Sequence, residues 1–176
     1  MKFRVLMVGL ALLAGCANAG TVTEKSPVTQ DLGAYHTASI AITVAPDIEN
    51  PEVFKSQLGT FLEESLMEKK LFDKLTAADG DLQLKITITK LDKPMSLGGI
   101  PGGETDAKST IELYDTKASK SVGNFDISAN SAQAVRTSVN GVNTRTGEDP
   151  RKRALQASAA GIANYIASHR AGSGAK

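Results

Sequence analysis

A single cysteine, Cys16, is the feature that most limits how this chain can fold. Because a disulfide needs two cysteines, no covalent cross-link can form within the chain. A metal site built from several thiolates is excluded for the same reason. The fold must therefore be held together by packing and hydrogen bonds alone.

The first 15 residues have the pattern of a secretory signal peptide. Lys2 and Arg4 provide the positive charge, residues 5–14 are apolar or glycine, and small residues follow. The apolar run is roughly half as long as the ~20 residues that a membrane-spanning helix needs. We therefore predict that residues 1–15 are a cleaved signal peptide and that the chain has no transmembrane helix.

Charge and composition argue against nucleic acid as a partner. Removal of the signal peptide takes away Lys2 and Arg4, which leaves 18 basic against 19 acidic residues. A near-neutral chain has no strong electrostatic attraction to a phosphate backbone. Aromatic residues make up 5% of the sequence and tryptophan is absent, which disfavours surfaces that stack on sugars or bases.

Chain length and turn residues predict one domain with flexible ends. Residues 16–38 show neither helical nor strand periodicity and are interrupted by glycine and proline, so we predict a flexible tether there. The remaining length suits one hydrophobic core, which we place at residues 39–170. Residues 171–176 are predicted to be a disordered tail.

The first strand and the first helix are neighbours in the sequence. Residues 39–45 alternate apolar with small or polar side chains, which predicts a strand. The triplet Asn50-Pro51-Glu52 is a helix start signal, with a capping residue, a proline at the first helical position and an acid in the first turn. Apolar residues then recur at three- and four-residue spacing, which predicts a helix over about 51–72.

Three more strands and a second helix complete the pattern. Residues 81–91, 109–115 and 122–128 alternate apolar and polar side chains, and the last two segments are predicted to form a hairpin. A second cap-and-proline signal opens a helix over 149–169. Because the polar strand faces can meet water, we expect both helices on the opposite face of the sheet. The prediction is an α+β two-layer sandwich of order β-α-β-β-β-α, with a mixed four-stranded sheet and both helices on one face.

This topology brings three connections, 46–50, 92–108 and 129–149, to one end of the sheet. Both helices begin there, and the second begins with three basic residues although cations are disfavoured at that end of a helix. We predict a partner-docking or anion-binding edge. Mobile surface loops with ordinary solvated charges are the alternative. The candidate residues of this edge are Gly98, Gly99, Gly102, Gly103, Arg136, Arg145, Arg151, Lys152 and Arg153.

The sequence contains no recognisable motif for catalysis or for a bound cofactor. The glycine-rich segment lacks the spacing of a P-loop or of a dinucleotide fingerprint, and no nucleophile elbow or His-Glu-x-x-His motif occurs. His36 and His169 are isolated, and carboxylates such as Glu63 and Glu64 suit a solvated helix face. We predict a protein that is not an enzyme, with no catalytic residues, no metal and no cofactor.

The tetrapeptide Leu-Ala-Gly-Cys at positions 13–16 resembles a bacterial lipobox, in which the cysteine becomes the mature N-terminus. The resemblance implies a diacylglycerol thioether on Cys16 and an acyl chain, such as palmitate, on the freed amine, which together anchor a protein stably. Ala17, and not aspartate, follows the cysteine, which implies attachment to the outer membrane with the domain in the periplasm. The alternative is an ordinary signal peptide cut after the Ala-x-Ala at 17–19, which would discard Cys16.

The rest of the chain, from about Ser39 to Arg170, resembles uncharacterised bacterial lipoproteins that carry domain of unknown function 4410. The stretches that carry this resemblance are SIAITVAP, DLQLKITITKLD, STIELYDTKASKSVGNFDIS and LQASAAGIANYIASHR. We therefore expect an outer-membrane lipoprotein that acts as a non-enzymatic binding or adaptor module for another envelope protein.

Two other functions remain open. One is an envelope hydrolase or small-ligand carrier with a pocket at the edge formed by residues 92–108 and 129–149. The other is a structural lipoprotein that self-associates along a free strand edge.

Overall fold

A computed structural model describes residues 19–97, 100–102, 104–133, 138–139, 142–143 and 149–170. The predicted signal peptide (1–15), Cys16 and the predicted tail (171–176) lie outside the described residues. Among the described helices, none is long and apolar enough to cross a membrane.

The elements follow one another as β1 (Thr21–Ser26), β2 (Thr37–Val44), α1 (Pro51–Glu68), β3 (Lys74–Thr76), β4 (Leu82–Leu91), β5 (Met95–Leu97), β6 (Ile100–Gly102), β7 (Asp106–Asp115), β8 (Lys120–Asn130), β9 (Ser138–Val139), β10 (Val142–Asn143) and α2 (Pro150–Ser168). The four predicted strands correspond to β2, β4, β7 and β8, and the predicted helices to α1 and α2. The helix α1 ends at Glu68, a few residues earlier than predicted.

Six strands form one mixed sheet in the order β1-β8-β7-β4-β2-β3. β2 runs parallel to β4, with Ile42 opposite Ile86, and α1 lies between them in the chain. The pairs β4–β7, β7–β8 and β8–β1 are antiparallel. The hairpins β5–β6 and β9–β10 are paired separately from this sheet. The α+β class and the mixed sheet are as predicted.

The sheet has six strands and not the four that we predicted, because the outer strands β1 and β3 were missed. β1 has the sequence TVTEKS with one apolar residue, and β3 has only three residues. An exposed edge strand needs no buried side of its own, so it leaves no alternating pattern in the sequence.

The flexible tether expected over 16–38 is wrong for the part of it that the structure describes. Thr21 pairs with Ser128 at the start of β1, and the Gly20 N–H donates to the Ala157 carbonyl at 3.0 Å. Leu32 is fully buried. The domain therefore begins at about residue 20, and β1 and the turn that follows it belong to the core assembly.

One face of the sheet packs on both helices and forms the hydrophobic core. The strand register aligns Ile86, Ile111 and Phe125 across β4, β7 and β8, and all three are buried. The Tyr165 ring of α2 lies on the Phe125 ring, with 4.1 Å between the ring centres. Burial of such side chains supplies about 1.5–3 kcal/mol each. The buried helix residues facing this core include Phe54, Leu58, Leu62 and Leu66 of α1 and Leu155, Ala159, Ile162 and Ile166 of α2.

The two helix start signals act differently. At α2, the Asp149 carboxylate accepts a hydrogen bond from the Arg151 backbone N–H at 2.9 Å, which is a side-chain cap. At α1, Asn50 makes no side-chain cap bond and has a φ of 55°, in the left-handed region that asparagine tolerates. The α1 helix still begins at Pro51, where it was predicted, because proline is preset for the first helical position.

Candidate binding edge

The central strands bring the predicted connections to one end of the domain. β2 and β4 are parallel and both end there, β7 begins there, and β8 ends there. We call this end the loop edge. Its described residues outside the sheet include 45–50, 92–97, 100–102, 104–105, 131–133 and 149. The predicted convergence of the connections therefore follows from the observed sheet order.

An exposed ion pair joins two of these connections. Lys93 Nζ lies 2.6 Å from Glu49 Oε1, and the side chains are 67% and 63% exposed. The hydrogen bond from Lys93, followed by its charge, lowers the pKa of Glu49 below its ordinary value. Because solvent screens such a pair, it adds little to stability. Both charges remain accessible to a partner at the loop edge.

Asp149 and Arg151 form a two-point pair at the start of α2. Arg151 Nη2 lies 2.8 Å from Asp149 Oδ2, and Arg151 Nε lies 3.1 Å from Asp149 Oδ1. Burial of Asp149 opposes its ionisation, but the hydrogen bonds from Arg151 outweigh burial, so the pKa of this carboxyl is lowered. The guanidinium also lies over the Phe54 ring of α1, 4.9 Å from its centre. Arg151 thus fixes the start of α2 against α1, and an incoming anion would have to compete with Asp149 for it.

The next two basic residues lie along the same helix pair. Lys152 Nζ is 5.9 Å from the centre of the Phe61 ring, and both Lys152 and Arg153 are partly buried. The Arg153 backbone N–H donates to the Asp149 carbonyl at 3.4 Å. The stems of such long basic side chains cover apolar surface, and the Nε atom of Arg153 is itself buried.

Hydrogen bonds join the start of β7 to the end of β8, where two of the connections leave the sheet. The Thr105 N–H donates to Ser131 Oγ at 3.1 Å, and the Ser131 N–H donates to the Thr105 carbonyl at 2.9 Å. Asn130 Nδ2 donates to Asp106 Oδ1 at 2.9 Å and to Glu104 Oε2 at 3.2 Å. The chain that follows the hairpin β5–β6 is therefore hydrogen-bonded to the end of β8.

The structure describes only part of the predicted candidate set. Arg151, Lys152 and Arg153 lie in the first turn of α2, and Gly102 is the last residue of β6. Whether the glycines and the arginines of this set come together stays a prediction. The members outside the described residues are Gly98, Gly99, Gly103, Arg136 and Arg145, together with Cys16, the predicted lipidation site.

The sheet face opposite the helices is polar, and within the described ranges no element covers it. Thr43 Oγ1 lies 3.0 Å from Thr87 Oγ1 across β2 and β4. Lys85 Nζ lies 3.3 Å from Glu112 Oε2 and 3.5 Å from the centre of the Tyr114 ring. A shallow groove of about 450 Å³ runs over these strands, and its lining includes Ala41, Thr43, Gln83, Lys85, Thr87 and Thr110. We call this surface the open face.

A second groove, of about 310 Å³, lies at the opposite end of the domain. Its Tyr35 hydroxyl donates to Asp115 Oδ2 at 2.9 Å. Burial, and then the hydrogen bond to Asp115, raise the pKa of Tyr35, so the hydroxyl stays protonated and acts as a donor. Across the residues that the structure describes, no three histidine, cysteine or acidic side chains are arranged to hold a metal ion.

Sequence reasoning did not identify the contact between Gly20 and Gly161 that fixes the start of β1. A Cβ on Gly161 would lie 2.3 Å from Ile127 Cδ1 and 3.1 Å from the backbone N and O of Gly20. The available signal was the run of small residues ASAAGIA in α2, which permits another backbone to approach the helix closely.

Solved structures with a similar fold include two of PelC from Paraburkholderia phytofirmans, both dodecamers. One has a TM-score of 0.56 at 15% sequence identity and covers 84% of this chain and 96% of the PelC chain. The other, a variant of the same protein, has a TM-score of 0.52 at 13% identity and covers 86% and 98%. The lipoprotein GNA1162 from Neisseria meningitidis has a TM-score of 0.41 at 12% identity, and the match covers 60% of this chain and 88% of the GNA1162 chain.

No family model matches this chain, and no curated protein matches its sequence. The resemblance to domain of unknown function 4410 therefore stays a prediction. At 13% and 15% identity, the two PelC structures show a shared fold and not a shared function.

Proposed function

We propose that this chain is a lipid-anchored protein of the bacterial envelope whose domain works by binding protein and not by catalysis. The lipid is attached to Cys16, and the domain extends from the outer membrane into the periplasm. Another copy of the same chain is the first candidate partner. A different envelope protein, for which the domain would be an adaptor, is the second.

The observation that carries the first candidate is the extent of the structural overlap with PelC. The match at a TM-score of 0.56 covers 96% of the PelC chain, so it includes the whole PelC fold and not one shared motif. PelC was solved as a dodecamer. We extend assembly from copies to this chain as part of the proposal.

The two outer strands of the sheet, β1 and β3, support assembly of this kind. These strands differ in length and sequence. A contact between the β3 side of one copy and the β1 side of its neighbour is therefore head-to-tail. Head-to-tail contacts close into rings when the rotation between copies allows it.

The outer side of β2 is the stretch of edge that we expect a neighbour to use. β3 pairs only with Thr37, Ala38 and Ser39 of β2. From Ile40 to Val44, β2 pairs with β4 on one side, and no described strand pairs with its other side. Unpaired backbone groups on an edge are a ready site for a strand from another chain.

Lipid attachment is tested by metabolic labelling of the full-length chain with radioactive palmitate in bacteria. We expect label on the wild type and none on Cys16→Ser. An unlabelled wild type, or a labelled Cys16→Ser variant, would refute the anchor.

Assembly is tested by sedimentation of the lipidated protein in detergent and by a photo-crosslinking residue at one of two exposed alanines. Ala41 lies on β2 beside the free edge, and Ala118 lies in the turn between β7 and β8 at the far end of the domain. We expect an oligomer, and crosslinks between copies from Ala41 but not from Ala118. Crosslinks from Ala41 to a different protein would favour the adaptor. A monomer without neighbours would contradict both candidates.

A further inference from the structure

The chain between the proposed lipid and the domain is very short. Cys16 precedes Gly20 by four residues, and Gly20 is fixed to α2 by its 3.0 Å hydrogen bond to the Ala157 carbonyl. A chain of that length spans at most about 14 Å when fully extended. A lipid on Cys16 therefore holds Gly20 within about 14 Å of the surface of the bilayer.

The point of attachment lies near the loop edge. Thr21 is opposite Ser128, and β8 ends two residues later at Asn130. The neighbouring strand β7 has 10 residues, which corresponds to a length of about 33 Å. The turn between β7 and β8 is at the far end of these strands, beyond the reach of the short link. The link thus brings the loop-edge end of the domain to the bilayer.

The hairpin β5–β6 extends from this same end. It connects the end of β4 with the start of β7, and Leu97 pairs with Ile100 beside its turn. The Asp92 N–H donates to the Asp106 carbonyl at 3.0 Å, which joins the two chain segments on either side of the hairpin. From 95 to 103 the sequence MSLGGIPGG contains no charged residue.

An uncharged segment with leucine and isoleucine suits the boundary between lipid headgroups and acyl chains, since little desolvation of charge opposes its entry. Lys93, just before the hairpin, is 67% exposed and could exchange its Glu49 carboxylate for a lipid phosphate. Such an exchange costs little, because the Glu49 pair is itself weak in water.

We infer that the loop edge rests on the phospholipid surface that holds the Cys16 lipid, with the β5–β6 hairpin in the headgroup layer. This inference rests on the proposed lipid attachment, and it names phospholipid as the anionic partner of the predicted edge. The open face and the outer strands β1 and β3 are then roughly perpendicular to the membrane plane, where neighbouring proteins can reach them.

The absence of tryptophan from the chain permits a single-site fluorescence test. The full-length lipidated variants Leu97→Trp and Ala118→Trp are placed in vesicles of phosphatidylethanolamine and phosphatidylglycerol, with or without bromine on the acyl chains. We expect brominated lipid to remove most of the emission of Leu97→Trp and little of that of Ala118→Trp. Ile100→Trp, which pairs with position 97, is a second reporter in case Leu97→Trp does not fold.

If the protein carries the palmitate label, either of two results would contradict the inference. One is unquenched emission from both hairpin reporters, and the other is equal quenching at the hairpin and at position 118. Absence of the label would instead refute the lipid anchor, so the two failures are distinguishable.

Discussion

Gly161 of α2 lies against Gly20, the residue through which the N-terminal strand enters the sheet, and a Cβ on Gly161 would lie 3.1 Å from the Gly20 backbone. The same Cβ would lie 2.3 Å from Ile127 Cδ1, and Ile127 is fully buried. The close approach of helix and strand therefore depends on the missing side chain.

Gly161→Ala is expected to lower the free energy of unfolding by up to about 2 kcal/mol. Overpacking of a filled core costs about 1–3 kcal/mol, and the better helix propensity of alanine recovers part of it. Gly59→Ala in α1 is the matched control, because its Cβ would make an ordinary 3.7 Å contact with Ile42. The control should be neutral or stabilising by up to about 1 kcal/mol. Urea unfolding of both variants measures the difference, and equal midpoints would contradict the tight contact.

Substitutions at Asp149 separate its cap from its charge. Asparagine caps helices as well as aspartate does, so Asp149→Asn should cost less than Asp149→Ala, for which we expect about 1 kcal/mol at neutral pH. Asp149→Asn still loses the pair with Arg151. Urea unfolding of the three proteins at neutral pH measures this order.

The pH dependence of the same variants tests the lowered pKa of Asp149. Burial opposes ionisation but the Arg151 hydrogen bonds outweigh it, so the folded pKa lies below the ordinary value. The stabilisation is present above about pH 4 and is lost as the pH falls through the folded pKa. The advantage of the wild type over Asp149→Asn should therefore shrink in acid. A constant difference at all pH values would show that the charge has no role.

Tyr165 ties α2 to β1 through its hydroxyl, which donates to Glu24 Oε1 at 2.8 Å. Tyr165→Phe should cost about 1 kcal/mol, the usual net value of such a bond. Tyr114→Phe is the comparison, since Tyr114 contacts Lys85 through the face of its ring. Thermal unfolding near neutral pH should rank Tyr165→Phe below Tyr114→Phe, and the reverse order would exclude a stabilising role for the hydroxyl.

Alkaline pH gives an independent check on Tyr165. Burial, and then the hydrogen bond to Glu24, raise its pKa in the folded state. Above about pH 10 the unfolded chain loses this proton while the folded chain keeps it, so stability falls as the pH rises. Tyr165→Phe should show a smaller alkaline loss of stability than the wild type. An identical loss would mean that Tyr165 does not contribute to it.

The sequence was sufficient to predict the elements that bury a regular face. β4 alternates Leu82, Leu84, Ile86 and Ile88 toward the core, and all four are buried. The stripe of α2 was predicted for the same reason, because periodic burial leaves a periodic sequence. Convergence of the connections at the loop edge followed from the order of these elements.

The outer strands and the local contacts of the site could not be predicted in this way. β1 is mostly exposed, so its pairing depends on backbone groups that any sequence provides. The ion pair between Arg151 and Asp149 depends on the rotamers of both side chains. The residues are two positions apart, and this spacing alone does not predict whether their side chains meet. Asn50 illustrates the same limit, since its left-handed backbone replaced the expected side-chain cap.

Removal of the N-terminal segment tests whether residues 19–38 are part of the domain. A fragment of residues 39–176 lacks β1, fully buried Leu32 and buried Tyr35. Losing two such side chains costs roughly 3–6 kcal/mol, a large share of the 5–15 kcal/mol that holds a typical domain. We expect this fragment to be unfolded or much less stable, whereas a fragment of 19–176 should unfold cooperatively.

Circular dichroism and urea unfolding of the two fragments measure this difference. The result also bears on orientation at the membrane, because a free segment up to residue 38 could extend about 70 Å or more from Cys16. Such a link would leave the domain free to turn in any direction. Equal midpoints for the two fragments would therefore count against both the enlarged domain and the short link on which contact between the loop edge and the bilayer depends.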